Sequence, residues 1–506
     1  MCSAPGMLSL RRLASTLPPG LTRSLRLPCS FKGGLSATVK CRSPVRWMTT
    51  ANGILVRRAS RFSETITSFS EELENLGHAS SMDQWAVAGE KFKNIFHASD
   101  SSKKTELLLD LGSNFGVDKE ALDGAIEIYQ RSGSAINEVR RASTPLYQLL
   151  FQSVGNRFGG VHCICAVRAH LLEALEGKPN PVLKRVEEVS KELLTMWFCL
   201  SNLTLERLTW QSPADILHKV QLCEIRDTSS LWKVAKYEAV HPVAGITDLQ
   251  RRVGASRRCF LFTHEAMPRE PLVVVHVALT RDIADNLQKI LKSAEEEGME
   301  DEEATTAIYY SISSTQKGLA GIDLGNLLIK GVVEELQRDL PRVKIHSTLS
   351  PIPGFRAWVL RSLQGHSEFG EIIDDKIHGW MNEVAKRDLE LDEAKTLLTQ
   401  SLSANRIQPE NIEFLKHILM RLCAVYLMKA KRNGLAINPV ANFHVRNGAE
   451  VYRLNWAADS SVRGMDRSFG IMVNYKYNLD DLHRNTEDYT SKKQMHAHSQ
   501  ITELLD

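Results

Sequence analysis

The sequence predicts an α+β, multidomain protein: an N-terminal all-α helical bundle followed by a C-terminal mixed α/β domain. Three observations predict it. Residues 65–198 carry apolar side chains at helical spacing. From residue 258 the pattern changes to short β-rich runs. A glycine-rich segment then joins one such run to a new helix. At 506 residues the chain is too long for one small core. Its hydrophobic fraction of 43% and charged fraction of 24% are ordinary for globular proteins. No uninterrupted apolar run reaches the length of a membrane-spanning helix, so membrane insertion is not expected.

The net charge of +3 hides two unlike parts. Residues 1–60 hold eight Arg, two Lys and no acid, a charge of +10 that leaves −7 for the remainder. An Arg- and Ser-rich stretch with its first acid at Glu64 reads as a mitochondrial transit peptide, which places the mature protein in the matrix. A start at Met48 or Met82 would lack much of that leader and leave a cytoplasmic or peroxisomal pool. The terminal Glu503-Leu504-Leu505-Asp506 is not a Ser-Lys-Leu address. The mildly acidic body argues against nucleic acid as a partner. Of nine cysteines, three lie in the leader and none forms a CxxC pair. Cys163-Ile164-Cys165 has no matching second pair, so buried thiols are expected and a metal is not.

In the helical region, Val182, Val186, Val189, Leu193 and Trp197 form one stripe, with Pro179 and Pro181 where a helix tolerates proline. Gly112 and Gly116 read as breaks. Packing and self-association are the expected roles. Residues 199–255 connect this region to the strands. Cys259 to Phe262 and Leu272 to Leu279, separated by Met267-Pro268-Arg269-Glu270-Pro271, predict an antiparallel hairpin whose second strand is buried on both faces. Residues 294–304, seven of eleven acidic, read as an exposed loop. Ala307 to Ser313 is a third strand. The segment from Gln316 to Asn326 follows, with a helix expected near Asn326. A strand, a glycine arm and a helix N-terminus make an anion cradle. Such arms hold the pyrophosphate of coenzyme A in acyl-CoA N-acyltransferase folds. The spacing is neither a P-loop nor a dinucleotide fingerprint. Arg342 to Leu349 then reads as a strand, residues 354–432 as helical, and Tyr452 to Trp456 and Gly470 to Tyr477 as strands.

Two runs carry the candidate chemistry. In His346 to Phe355, Pro351 and Pro353 remove two donors and fix two φ angles, which holds Ser350 at a rigid bend. In Ile437 to His444, Asn438-Pro439 makes a second constrained turn before His444. Neither run suits a regular helix or a central strand. A hydroxyl and an imidazole on rigid loops form one site if the fold brings them together. On residue type alone, Ser350 also suits a turn cap and His444 a core position. An acetyl-CoA-dependent N-acyltransferase and a non-catalytic acyl-CoA-binding protein stay open at this point.

From about residue 70 to 480 the chain resembles the malonyl-CoA decarboxylase family. The similar stretches include Leu205-Glu206-Arg207, Glu238 to Val243, Arg251 to Gly254, Pro271 to Thr280 and Tyr310 to Ser313. They also include Ser350-Pro351-Ile352-Pro353-Gly354-Phe355 and Asn438-Pro439-Val440-Ala441-Asn442-Phe443-His444. The resemblance implies a helical oligomerisation domain over 65–198 and a catalytic acyl-CoA N-acyltransferase-like domain over 199–490. It implies malonyl-CoA as substrate, acetyl-CoA and CO2 as products, control of malonyl-CoA level in fatty-acid metabolism, and a homotetramer. Ser350 and His444 take the catalytic positions, Ser350 as proton acceptor and His444 as proton donor. Ala320, Gly321, Ile322, Asp323, Leu324, Gly325 and Asn326 take the substrate-binding arm, with Ser311 and Tyr477 in support. The residues alone leave open whether Ser350 transfers a proton or positions the carboxylate. No metal or organic cofactor is called for, because the thioester carbonyl is the electron sink. Departures are Asp323 where Glu is expected, Ala214 and Glu265 in place of cysteines of animal members, and an insertion over 222–237.

Overall fold

The computed structural model describes residues 66–77, 80–224, 246–292, 300–366, 368–403 and 412–506. The basic leader, Glu238 to Val243 and most of the 222–237 insertion lie outside the described residues. Among the described residues no helix is long and apolar enough to cross a membrane.

The helical expectation for the N-terminal region holds. After a helix over 66–74 come α1 (Met82–Ala98), α2 (Ser101–Asn114), α3 (Lys119–Ser132), α4 (Ile136–Ala142), α5 (Leu146–Gly155), α6 (Gly160–Ala174) and α7 (Pro181–Trp197). Local chemistry sets the ends. Ser81 and Gln84 close a capping box on α1, and Asp100, Asp118 and Asn180 cap α2, α3 and α7. Phe69, Phe92, Phe96 and Phe151 fill the shared core. Two expectations need correction. The buried face of α7 is Leu183, Val186, Glu187, Ser190, Leu193 and Leu194, with Val189 and Trp197 only half-buried at its flanks. Gly112 does not break a helix. It lies inside α2, where an added Cβ would stand 2.6 Å from Val182 and 2.8 Å from Val186, so the position must stay small for α2 and α7 to touch. Cys163 and Cys165 are buried free thiols, and burial pushes both up to about 12.

The second region is built on one mixed sheet. Its strands are β1 (Leu203–Leu208), β2 (Arg257–His264), β3 (Val273–Thr280), β4 (Thr306–Ser314), β5 (Ile345–Thr348), β6 (Ser350–Pro351), β9 (Glu450–Asn455) and β10 (Met472–Tyr477); β7 (Lys431–Arg432) and β8 (Leu435–Ala436) pair separately. The order is β1-β2-β3-β4-β5-β10-β6, with β9 also on β10. The expected hairpin is β2–β3, and β3 is buried on both faces except at Thr280. Among the described strand pairs only β4–β5 is parallel. The crossover joining them is a helix, α8 (Leu324–Asp339), whose Leu328, Val332, Val333 and Leu336 are buried. The acidic segment is not wholly a free loop: Asp301 accepts from the Ser256 amide at 3.1 Å and pairs with Arg258.

Candidate functional site

β10 is the strand that assembles the site. Its C-terminal end pairs with β5 at Tyr477↔His346, and its N-terminal end pairs with β6 at Val473↔Ser350. Ser350 therefore sits in a short strand, not at a free bend. Pro351 is tolerated there because β6 is a two-residue edge strand. The second run also differs from expectation. Asn438-Pro439 is the start of a helix, α9 (Pro439–Arg446), and His444 lies in its second turn. The Asn438 side chain accepts from the Ala441 amide at 2.8 Å, and Pro439 occupies the first turn, where its missing N–H costs nothing. The same Asn438 donates through Nδ2 to the Pro353 carbonyl at 2.9 Å, and Tyr426 donates to that carbonyl at 3.0 Å. One buried amide thus ties the two motifs together.

Ser350 Oγ and His444 Nε2 are 3.3 Å apart. Ser350 Oγ donates to Thr348 Oγ1 at 2.8 Å, and His444 Nδ1 lies 2.7 Å from Tyr477 Oη. Proton counting fixes the directions. A serine has one proton, and Ser350 gives it to Thr348, so Nε2–H donates to Ser350. The other ring nitrogen then accepts from Tyr477. Tyr475 stacks on the imidazole with centroids 4.6 Å apart and the planes inclined by 24°. Burial holds His444 down to about 3, so the ring is neutral. Burial, reinforced by the charge of Asp323, raises Tyr477, which keeps its proton. A second buried imidazole, His346, lies 3.1 Å from Tyr309 Oη and is held by burial at about 4.

Ser350, His444 and Tyr309 face a cavity of about 320 Å³, which Tyr477 does not line: it stands behind His444. Ser311, Ala320, Gly321, Ile322, Leu324, Gly325, Ser350 and His444 all line it. Ser311 lies beside a bulge, where the β3–β4 register shifts at His276/Val277, and its buried hydroxyl has no hydrogen-bond partner among the described residues. The helix after the arm starts at Leu324, two residues earlier than expected, and no side chain caps it. The Leu324 amide donates to the Ile322 carbonyl at 2.8 Å, and among the described residues the Gly325 and Asn326 amides have no partner, which leaves them to an anion. Asp323 and Asn326 do not line the cavity; Asn326 donates to the Asp323 carboxylate at 3.2 Å on the exposed side of the arm. Sequence reasoning missed Thr348, Tyr309, Tyr475 and Phe443. Thr348 was within reach of it: two residues before Ser350 on an extended segment, it shares that serine's face.

Two buried neutral imidazoles make stability pH-dependent. The unfolded chain protonates them as pH falls through about 6.5, whereas the folded chain waits until about 4 for His346 and about 3 for His444. The unfolded state then binds more protons, so stability falls as pH drops below about 6.5. Urea midpoints between about pH 6.5 and 5, above the carboxylate range, should decline, and less steeply for His346→Asn. Identical midpoints across that window would contradict the burial of these rings.

Residues 115–198 match the malonyl-CoA decarboxylase N-terminal domain, and residues 201–506 match the malonyl-CoA decarboxylase C-terminal domain. The chain belongs to the malonyl-CoA decarboxylase family. Among its relatives is the mitochondrial malonyl-CoA decarboxylase of Anser anser anser, 41% identical over 421 residues that cover 80% of each chain. That of Rattus norvegicus is 40% identical over 425 residues, 80% of this chain and 82% of the relative. Crystal structures of bacterial members share the fold. Malonyl-CoA decarboxylase from Rhodopseudomonas palustris superposes with a TM-score of 0.71 at 33% identity, covering 87% of this chain and 99% of that one. The Agrobacterium vitis enzyme gives 0.71 at 32%, covering 88% and 100%. The α+β organisation is therefore that of the malonyl-CoA decarboxylase family, with the matched segments meeting between residues 198 and 201.

Proposed function

We propose that this chain decarboxylates malonyl-CoA to acetyl-CoA and CO2. The observation that carries the reading is the chain of hydrogen bonds Tyr477–His444–Ser350 at the wall of a cavity bordered by the glycine arm. Loss of CO2 leaves an electron pair on the α-carbon, shared with the thioester oxygen as an enolate. That carbon must then gain one proton. His444 presents Nε2–H at the cavity wall and gives it to the carbon, while the Tyr477 hydroxyl, which keeps its proton, donates to Nδ1 and steadies the ring until Nε2 is reprotonated. The proton consumed overall comes from solvent. Ser350 positions the carboxylate by turning its O–H from Thr348 to donate to it: that group is already ionised, and its departure as CO2 gives Ser350 no proton to accept. The Ser311 hydroxyl and the Gly325 amide at the start of α8 are the donors placed for the thioester and the phosphates. Asp323 and Asn326 border the arm from outside, and Asp323 acts through its charge on Tyr477.

The catalytic domain in this reading is 199–490, and the helical region over 65–198 serves self-association as a tetramer. Its exposed Met82, Phe158 and Met196 support that role. The Arg-rich leader and the relatives named mitochondrial support import into the matrix, where control of malonyl-CoA level serves fatty-acid metabolism. Incubation of the purified protein with malonyl-CoA alone should yield acetyl-CoA and CO2 in equal amounts without an acceptor. Turnover that appears only when an amine is added, with acetyl transferred to it, would replace this reading by an acyltransferase.

A further inference from the structure

The glycine arm does not stand on the sheet region alone. It lies directly on the helical region at Gly318. A Cβ built there would be 1.9 Å from the Cys165 carbonyl oxygen and 2.7 Å from the Cys165 sulfur. Arg168, one turn along α6, donates through Nη1 to the Gly318 carbonyl at 2.5 Å. Its guanidinium is fixed from the other side by Glu187 on α7, with Nε 3.0 Å and Nη2 2.9 Å from Oε1. Lys184 holds the second Glu187 oxygen at 2.6 Å. Both Arg168 and Glu187 are 2% exposed. Farther along the arm, Lys191 of α7 stands over Gly321, its Nζ 3.8 Å from where a Cβ would lie.

We propose that Arg168 is a positioning residue for the substrate arm, acting through Gly318. The inference rests on the reading that this arm receives malonyl-CoA. A buried ion pair is a weak source of stability, since apolar residues of similar size pack as well or better. The pair's geometry gives it another task. Two of the fork's nitrogens are spent on Glu187 and a third on the backbone of the arm, a division that a planar, always charged side chain can make. Gly318 is followed at once by Leu319, Ala320, Gly321 and Ile322, which line the cavity. Anchoring the Gly318 carbonyl therefore sets where the wall stands. In this arrangement the helical region shapes the substrate site as well as any self-association.

The test uses the full-length double variant R168M/E187L, which removes the clamp without leaving a buried unpaired charge. Leu108→Ala, a cavity in the same region, serves as the stability control, because Leu108 is fully buried on α2. For the double variant, KM for malonyl-CoA should rise by about tenfold or more while kcat stays within about threefold. Hydrogen exchange at residues 316–323 should quicken in the double variant and not in L108A. Unchanged exchange and KM in the double variant would overturn the proposal. So would L108A raising KM as far at a comparable loss of melting temperature. Wild-type protein that fails to consume malonyl-CoA would overturn the functional reading instead, and the exchange measurement judges the clamp without reference to turnover.

Discussion

His444→Asn lowers kcat by about 10²-fold or more, the scale of a general acid–base group, and leaves the melting temperature close to wild type. Asparagine keeps an acceptor near the Nδ1 position for Tyr477 but stops short of Ser350 and has no acidic proton to deliver. The loss should fall on kcat, with KM changed little, because the missing step follows substrate binding. Ser350→Ala removes the group that receives the Nε2–H bond and should cost a similar factor. The two residues act on one reaction coordinate, so the double variant should be scarcely slower than either single one. Steady-state rates with malonyl-CoA decide this. Near-normal turnover by the His444 variant would remove the imidazole from the mechanism.

Asn438→Ala should be damaging for a different reason. Asn438 is fully buried, caps α9 at the Ala441 amide, and reaches the Pro353 carbonyl. Loss of the cap costs about 1 kcal/mol and loss of the bridge about 1 kcal/mol more, so unfolding free energy should drop by about 2 kcal/mol. Activity should fall further than stability, because the bridge sets the spacing between Ser350 and His444, and a displacement of about 1 Å at a reacting group can cost about 10²-fold. Asn438→Asp separates the two effects. Aspartate still caps a helix but cannot donate to Pro353, and it sets a carboxylate against a carbonyl. Its kcat should be at least as low as that of the Ala variant. An Asp variant with wild-type kcat would show that the cap alone matters.

Much of the fold was legible because its signals are local. The stripe from Val182 to Leu193, the hairpin from Cys259 to Leu279 and the passage from Ser313 through the glycines to a helix each depend on neighbours within a few turns or strands. The errors have physical causes as well. Gly112 reads as a break because glycine lowers helix propensity, yet contact with Val182 and Val186 demands a missing Cβ there. The Asn438-Pro439 pair reads as a turn because both residues favour turns, although the same pair is a cap followed by a first-turn proline. β5 begins at Ile345, later than the expected Arg342, because residues 340–343 form the turn that leaves α8, closed by the Val343 amide on the Leu340 carbonyl at 2.9 Å.

The sequence by itself determined the class of the fold, the family, and the serine and histidine on which the proposed chemistry turns. Those are properties of residue type and order. Only the tertiary structure decided that β10 holds β5 at one end and β6 at the other, that Tyr477 and Thr348 complete the hydrogen-bond chain, and that a guanidinium from the helical region reaches the arm. The reason is separation along the chain: Ser350 and His444 lie 94 residues apart and Arg168 and Gly318 lie 150 apart. Contacts at such range are fixed by sheet order and packing, and no local pattern encodes them.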